Sequence, residues 1–284
     1  MKTADVLRLS ALAAIWGASF LFYRIAVPSI GIAWFAELRV GIAAAAMLAL
    51  AFVAGTRLEV RKHWRAYLLM GLLNSAVPWS LYAFAGLHLG AGTMSILNAM
   101  TPFFAMICAA FLLGERITAR RVAGLALGVF GVSLVVGLGP VAPTRDALLG
   151  AAACIGATLC YAFSTTWLKR IDGGVRPIAL ATATLLVATA AIAPFLPSPP
   201  PSDAFSAKVV VAVLGVSLVC SALAFVLYFR LVTDLGPTRA QTVTFLIPVF
   251  GVLWGAVFLG EPIGFGTLAG GLTVLVAMAL VIRR

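Results

Sequence analysis

Charge is what this sequence has least of. Only 10% of its 284 residues are charged, and its nine acidic residues are outnumbered by 20 Lys and Arg. It has two histidines and four cysteines. Each scarcity excludes something. Cys108, Cys154, Cys160 and Cys220 all fall within apolar runs at no ligand-like spacing, so they read as small packing residues rather than a metal centre or a disulfide framework. His63 and His88 have no metal-ligating neighbour at helical spacing. No metal and no cofactor are expected. What the chain has in abundance is apolar surface, at 63% hydrophobic residues. A soluble domain cannot hide that much, since roughly half-apolar composition is already normal. Apolar runs of about 20 residues cross a hydrocarbon core of about 30 Å as helices. The lipid bilayer is therefore the expected solvent.

The net charge of +11 does not point to nucleic acid, because the basic residues sit in short loops between the apolar runs, which is how membrane topology is encoded. No nucleic-acid partner is expected. Lys2 and Arg8 precede an apolar stretch that continues through Trp16 to Phe22 without an A-x-A-like site, so an uncleaved first helix is expected rather than a signal peptide.

Ten spans are expected, near 8–27, 33–54, 66–88, 92–114, 119–137, 147–168, 175–196, 208–230, 238–259 and 264–282. The linkers carry turn chemistry: Gly55-Thr56, Gly139-Pro140, Gly173-Gly174, and a stiff Pro-rich stretch at 197–201. With the N-terminus in the cytoplasm and sides alternating, 16 of the 20 Lys and Arg fall inside. Arg24, Arg39, Arg145 and Lys208 stay outside or at flanking helix ends. This asymmetry favours both termini in the cytoplasm. Shifting the count by one span would scramble it.

An internal repeat appears at an offset of 146 residues. Tyr82 answers to Tyr228, Leu89-Gly90 to Leu235-Gly236, Pro102 to Pro248, Leu113-Gly114-Glu115 to Leu259-Gly260-Glu261, and Gly124 to Gly270, with no gap. Trp16-Gly17-Ala18-Ser19 is loosely like Tyr161-Ala162-Phe163-Ser164. Each half holds five spans, an odd number, so the second half enters the membrane inverted. The expected fold is an all-α polytopic membrane protein, ten transmembrane helices as two five-helix inverted repeats, residues 1–140 and 141–284. Inverted repeats give two alternative packings of similar energy, with the ligand site where the halves meet.

At these residues the sequence resembles the drug/metabolite transporter superfamily, specifically its EamA-type members. The resemblance is carried by Trp16-Gly17-Ala18-Ser19-Phe20, Leu89-Gly90-Ala91, Thr101-Pro102-Phe103, Leu113-Gly114-Glu115-Arg116 and Gly124. The second copy is better preserved: Leu235-Gly236-Pro237-Thr238-Arg239-Ala240, Ile247-Pro248-Val249-Phe250, Leu259-Gly260-Glu261-Pro262 and Gly270. The resemblance implies a multi-pass protein of the bacterial inner membrane that exports metabolites or drugs. Amino acids, aromatic ones included, are one implied substrate class, and organic cations are an alternative.

The candidate site is built around the two prolines. A proline inside a helix frees the carbonyl four residues earlier, here that of Asn98 and of Thr244. From Pro102 to Glu115 is about 20 Å of helix, so each proline is expected within about 5 Å of the midplane of the core. One reading is a kinked helix pair lining a central cavity, with Asn98, Gln241 and Thr244 offering hydrogen bonds to a small-molecule substrate. The other is kinks that only shape packing. Mid-span aromatics add Trp16, Trp79, Tyr82, Tyr161, Phe225, Tyr228 and Trp254. Trp and Tyr set deep need polar partners that a wet cavity provides, and they suit either an amphipathic substrate or a cation held over a ring. Trp16, Tyr82 and Tyr228 coincide with the repeat or the motif; Ser19 lies in the same motif.

Ionisable groups inside the membrane stand out by rarity. Glu37 and Arg39 sit in the first turns of the second span, Glu37 about 6 Å below its start. Glu37 is a candidate for substrate or proton coupling, or for plain pairing near the interface. Glu115 and Glu261, at helix C-termini, oppose the macrodipole and are expected to hold a loop to the following helix. An enzyme is not expected. Ser19 has only His63 and His88 as possible bases, both near the surface. A passive channel would favour rings of repeated polar groups, which are not evident. The small-residue face from Ala43 to Ala46 suits close packing within one chain or between two, so monomer and homodimer both stay open.

Overall fold

The computed structural model describes residues 3–138, 144–171, 174–236, 240 and 242–282. Among the described residues the chain is helical and forms no strand. Ten helical regions make up the bundle: α1 (Thr3–Ile30), α2 (Ile32–Val53), α3 (Val60–His88), α4 (Ala91–Leu113), α5 (Ala119–Gly137), α6 (Arg145–Ile171), α7 (Pro177–Phe195, its last turn 3-10), α8 (Ala207–Leu235), α9 (Val243–Leu259) and α10 (Phe265–Ile282). Eight of these regions are long and apolar enough to cross a membrane. The other two, α9 and α10, have 17 and 18 residues. They still rise about 25 Å, the lower end of what crossing needs. Ten crossings return the chain to its starting side, here called the terminal end; the opposite side is the far end.

Each expected span is met by a helix, and several helices are longer than expected. Helix α3 begins at Val60 rather than near 66, taking Arg61, Lys62 and Arg65 into its first turns. Helix α6 runs on to Ile171, with Lys169 and Arg170 in its last turn, where cations complement the carbonyl end of the helix. Charge ends the apolar run but not the hydrogen-bond ladder, which continues past it.

The two helices that carry the repeated motif end alike. Gly114 and Gly260 both adopt left-handed φ, at 69° and 65°. In each case the next amide donates back six residues, Glu115 N to Ala109 O and Glu261 N to Gly255 O. This closure is one residue wider than the Schellman motif, and its left-handed position is open to glycine without strain. Helix α4 is also interrupted in mid-span. It runs from Ala91 to Asn98, turns at Ala99-Met100 and resumes at Thr101. Pro102 thus stands in the first turn of a new segment, where a missing N–H costs nothing, and not inside a continuous helix. The Asn98 carbonyl that it leaves free accepts from the Thr101 hydroxyl at 2.8 Å. Pro248, by contrast, lies inside α9.

Two helices depart from α geometry. Leu72–Ala76 in α3 and Gly215–Leu223 in α8 are π-helical. An offset of 146 carries 72–76 to 218–222, within the second segment.

The most extensive helix pairs each join a helix before residue 140 to one after 144. Helix α1 packs on α8 and α9, and α6 packs on α3 and α4. Helix α2 packs on α7 and α8, and α7 on α3. The remaining large pairs are α4 with α9 and α5 with α10. The first and second halves of the chain are therefore interleaved, not set side by side. Small residues allow the close crossings, since helices in lipid associate by packing rather than by expelling water. Where α5 crosses α10, a Cβ on Gly270 would stand 2.5 Å from the carbonyl oxygen of Gly131. Large apolar side chains such as Phe52 and Phe111 lie 87% and 84% exposed. An exposed apolar mantle of this kind belongs against lipid.

Candidate functional site

The centre of the bundle is a buried cluster of aromatic and polar side chains drawn from six helices. Helix α1 presents Trp16, Ser19, Phe20 and Tyr23 on one face, at the three- and four-residue spacing of a helix stripe. Helix α3 supplies Trp79 and Tyr82, α4 supplies Asn98, α6 supplies Tyr161, and α8 supplies Ser221 and Tyr228. Tyr82 is at the middle. Its ring meets Phe20 edge-on at 5.5 Å and lies 6.2 Å from both Tyr23 and Tyr161. Its hydroxyl donates to Asn98 Oδ1 at 2.8 Å. The Trp16 ring stands 5.4 Å from Tyr228. Helices from both halves of the chain thus meet at these rings.

Arg39 of α2 enters the same cluster. It is 5% exposed, and it sits seven residues into its helix, roughly 10 Å along the axis. Its guanidinium stacks over Trp79, 3.8 Å from the ring centroid, and lies 5.3 Å from that of Tyr23. Nε donates to Ser221 Oγ at 3.2 Å, and Nη1 donates to the Tyr23 hydroxyl. Ser221 lies in the π segment of α8 and its own hydroxyl donates to Val216 O at 2.8 Å, five residues back. The serine proton is committed to that carbonyl, and a serine lone pair is left for the arginine. Among the described residues no carboxylate comes within 4.0 Å of Arg39.

Glu37, two residues earlier, has a different setting. Phe35, Ala36, Arg39, Val40, Ala43, Ala44 and Met47 form the buried face of α2, whereas Glu37 is only partly buried and flanks the exposed stripe through Ala45 and Leu48. Its Oε2 is shielded and has no hydrogen-bond partner among the described residues. Positions two apart on a helix do not face each other. The structure brings Arg39, and not Glu37, to the centre.

Other candidates also fall outside the cluster. Trp254 ties α9 to α1 by donating to Ala14 O at 2.9 Å, and it packs on Phe250 and Phe258 of its own helix. Thr244 is partly buried in the first turn of α9. Gln241 lies outside the described residues.

A second polar locus lies at the far end. Glu261, just past the end of α9, reaches the start of α4 and accepts from the amides of Ala91 at 2.8 Å and Gly92 at 3.3 Å. These are orphan donors of a helix N-terminus, where a carboxylate is favoured by hydrogen bonding and by the macrodipole alike. Arg24 of α1 stands 3.6 Å from the same carboxylate. The expectation that Glu261 holds its loop to the following helix gives way to a cap supplied across to another helix. A pocket of about 190 Å³, lined by Arg24, His88, Gly90, Thr93 and Glu261 among others, opens beside it. Glu115, its counterpart at the terminal end, is 47% exposed and stands 3.8 Å from Arg121 of the following helix.

Comparison with known proteins agrees with this architecture. The model of the EamA-like transporter family matches the chain twice, over residues 6–137 and 148–283. The uncharacterized transporter YvbV of Bacillus subtilis is 25% identical, over 99% of this chain and 92% of its own. A probable terminal-alkyne amino-acid exporter of Streptantibioticus cattleyicolor is 26% identical, over 95% of this chain and 90% of its own. One protein crystal structure aligns over 99% of this chain and 96% of its own with a TM-score of 0.67. At 18% identity, that likeness establishes the fold alone.

Proposed function

The chain belongs to the EamA-like transporter family, and from that premise we propose that it exports small metabolites, amino acids first among them, across the bacterial inner membrane. The observation that carries the proposal is the buried aromatic and polar cluster around Tyr82, assembled from α1 and α3 of one half and α6 and α8 of the other. A site at the junction of two halves is the one that rocking of those halves exposes to each side in turn. The two matches of the family model support the reading of residues 1–140 and 141–284 as copies of one five-helix unit. So does the packing. Adding five to a helix number turns the α1–α9 pair into α6–α4, α1–α8 into α6–α3 and α2–α8 into α7–α3, while α2–α7, α4–α9 and α5–α10 map onto themselves. The charge asymmetry supports cytoplasmic termini, which makes the end that carries Glu261 the outer one. The amino-acid relative supports the substrate class.

A channel fits less well, since the centre is closed by packed rings. The test is uptake of labelled amino acids and organic cations into liposomes holding the purified protein. Trp16→Ala and Tyr82→Ala each remove an aromatic contact worth about 1 kcal/mol beyond burial. Each is expected to slow saturable uptake by about tenfold or more while the protein stays folded. Normal uptake by both folded variants would remove the central cluster from the transport site.

A further inference from the structure

Resting on the export reading above, we propose that Arg39 is the docking point for a carboxylate of the substrate, so that the transported molecules are amphipathic carboxylates and not organic cations. A guanidinium carries five N–H donors in one plane. Two are used, Nε to Ser221 and one on Nη1 to Tyr23. Three remain, one on Nη1 and two on Nη2, with no protein acceptor among the described residues. The side chain is 5% exposed and lies within a membrane-spanning helix. Arginine always keeps its charge, and a charge at this depth without a counter-ion is costly. An intramembrane helix retains such a group where the missing partner arrives with a ligand.

The geometry selects the ligand. Trp79 covers one face of the guanidinium at 3.8 Å, and Tyr23 and Ser221 hold it from two edges. What remains are one donor on Nη1 and two on Nη2, in the guanidinium plane, which suit the oxygens of a carboxylate. One fixed positive charge neutralises a monoanion. A phosphate monoester would leave a surplus negative charge in a low-dielectric site. The neighbouring rings of Tyr82 and Tyr161 form the apolar wall for the rest of the molecule. A cation that would otherwise stack on these rings meets a like charge at Arg39.

The test needs only the full-length protein in detergent and in liposomes. Binding of L-phenylalanine and L-leucine is compared with that of L-phenylalaninamide, L-leucinamide, phenethylamine and phenyl phosphate. The readout is quenching of intrinsic Trp fluorescence, with competition for uptake as a second measure. The acids are expected to bind at least about tenfold tighter than their amides, as the loss of a charge-assisted pair implies. Arg39→Gln is expected to abolish that preference, and Arg39→Lys to keep part of it. If Arg39→Gln does not fold, the wild-type acid-to-amide ratio and Arg39→Lys still decide. Acid and amide bound equally, or a preference that survives in Arg39→Gln, would overturn the carboxylate site while amino-acid uptake left the export reading intact. Tighter binding of phenyl phosphate or phenethylamine would overturn it as well. Absence of both binding and uptake for every amino acid would overturn the two readings together.

Discussion

Glu261 offers the sharpest handle on what ties the helices together at the far end. Its carboxylate takes two amide donors at the start of α4, at 2.8 and 3.3 Å, and stands 3.6 Å from Arg24. One side chain therefore links α9, α4 and α1. Hydrogen bonds to a charged acceptor are worth about 1.5–3 kcal/mol each, and an anion at a helix N-terminus adds up to about 1 kcal/mol. The carboxylate is 18% exposed and the second bond is long, so the lower end applies. Glu261→Gln keeps the shape and one acceptor oxygen but removes the charge and the second acceptor. A loss of about 2 kcal/mol is expected, which is about a 30-fold shift away from the sealed arrangement. The assay is labelling of Thr93→Cys by a membrane-impermeant maleimide, in a background in which the four native cysteines are replaced. Thr93 lines the pocket behind Glu261 and is 6% exposed. Its labelling should accelerate by up to about 30-fold in Glu261→Gln. Glu115→Gln should change little, because a half-exposed ion pair at 3.8 Å contributes about 0–1 kcal/mol. Labelling within twofold of the parent, with an unchanged melting midpoint, would refute the idea that this cap holds the far end shut.

Two further expectations concern packing and backbone. A Cβ on Gly251 would fall 2.3 Å from the Ser95 side chain, so Gly251→Ala should force α9 from α4 and cost about 1–3 kcal/mol of stability; thermal unfolding in detergent checks this against Gly137→Ala, where a Cβ meets nothing within 4 Å. Gly260→Ala puts a side chain at φ 65° and should cost about 1 kcal/mol, read as a lower melting midpoint with the acid-to-amide binding ratio unchanged.

The spans were legible because lipid tolerates little but apolar helices, so composition alone marks where they run. Their ends were less so, as α3 shows: Arg61, Lys62 and Arg65 look like a loop and are helix. The choice between Glu37 and Arg39 turned on which face of α2 is buried. A signal was present. Arg39 lies four residues before Ala43 and three after Ala36, within the small-residue stripe that packs against α7 and α8. Rarity of charge drew attention to both residues, and only that helical register separates them. Trp254 shows the opposite limit. It stands within α9 and is partly buried, yet its indole proton is spent on Ala14 O, and a helix pairing of that kind is fixed by the whole bundle.

The π segments lie next to the site, and comparison of the two halves was bound to miss them. A π turn holds one residue more than an α turn and re-aims the residues that follow it. In α3 it precedes Trp79 and Tyr82; in α8, at the same offset, it precedes Phe225 and Tyr228. The two aromatic pairs have since taken different partners. Trp79 stacks on Arg39 and Tyr82 bonds Asn98, whereas Phe225 stacks on Phe229 and Tyr228 meets Trp16. An extra residue present in one half would open a gap between the copies and reveal itself. Present in both, it leaves the offset of 146 unbroken, and the same gap-free match that exposed the repeat concealed the π turn that precedes each aromatic pair.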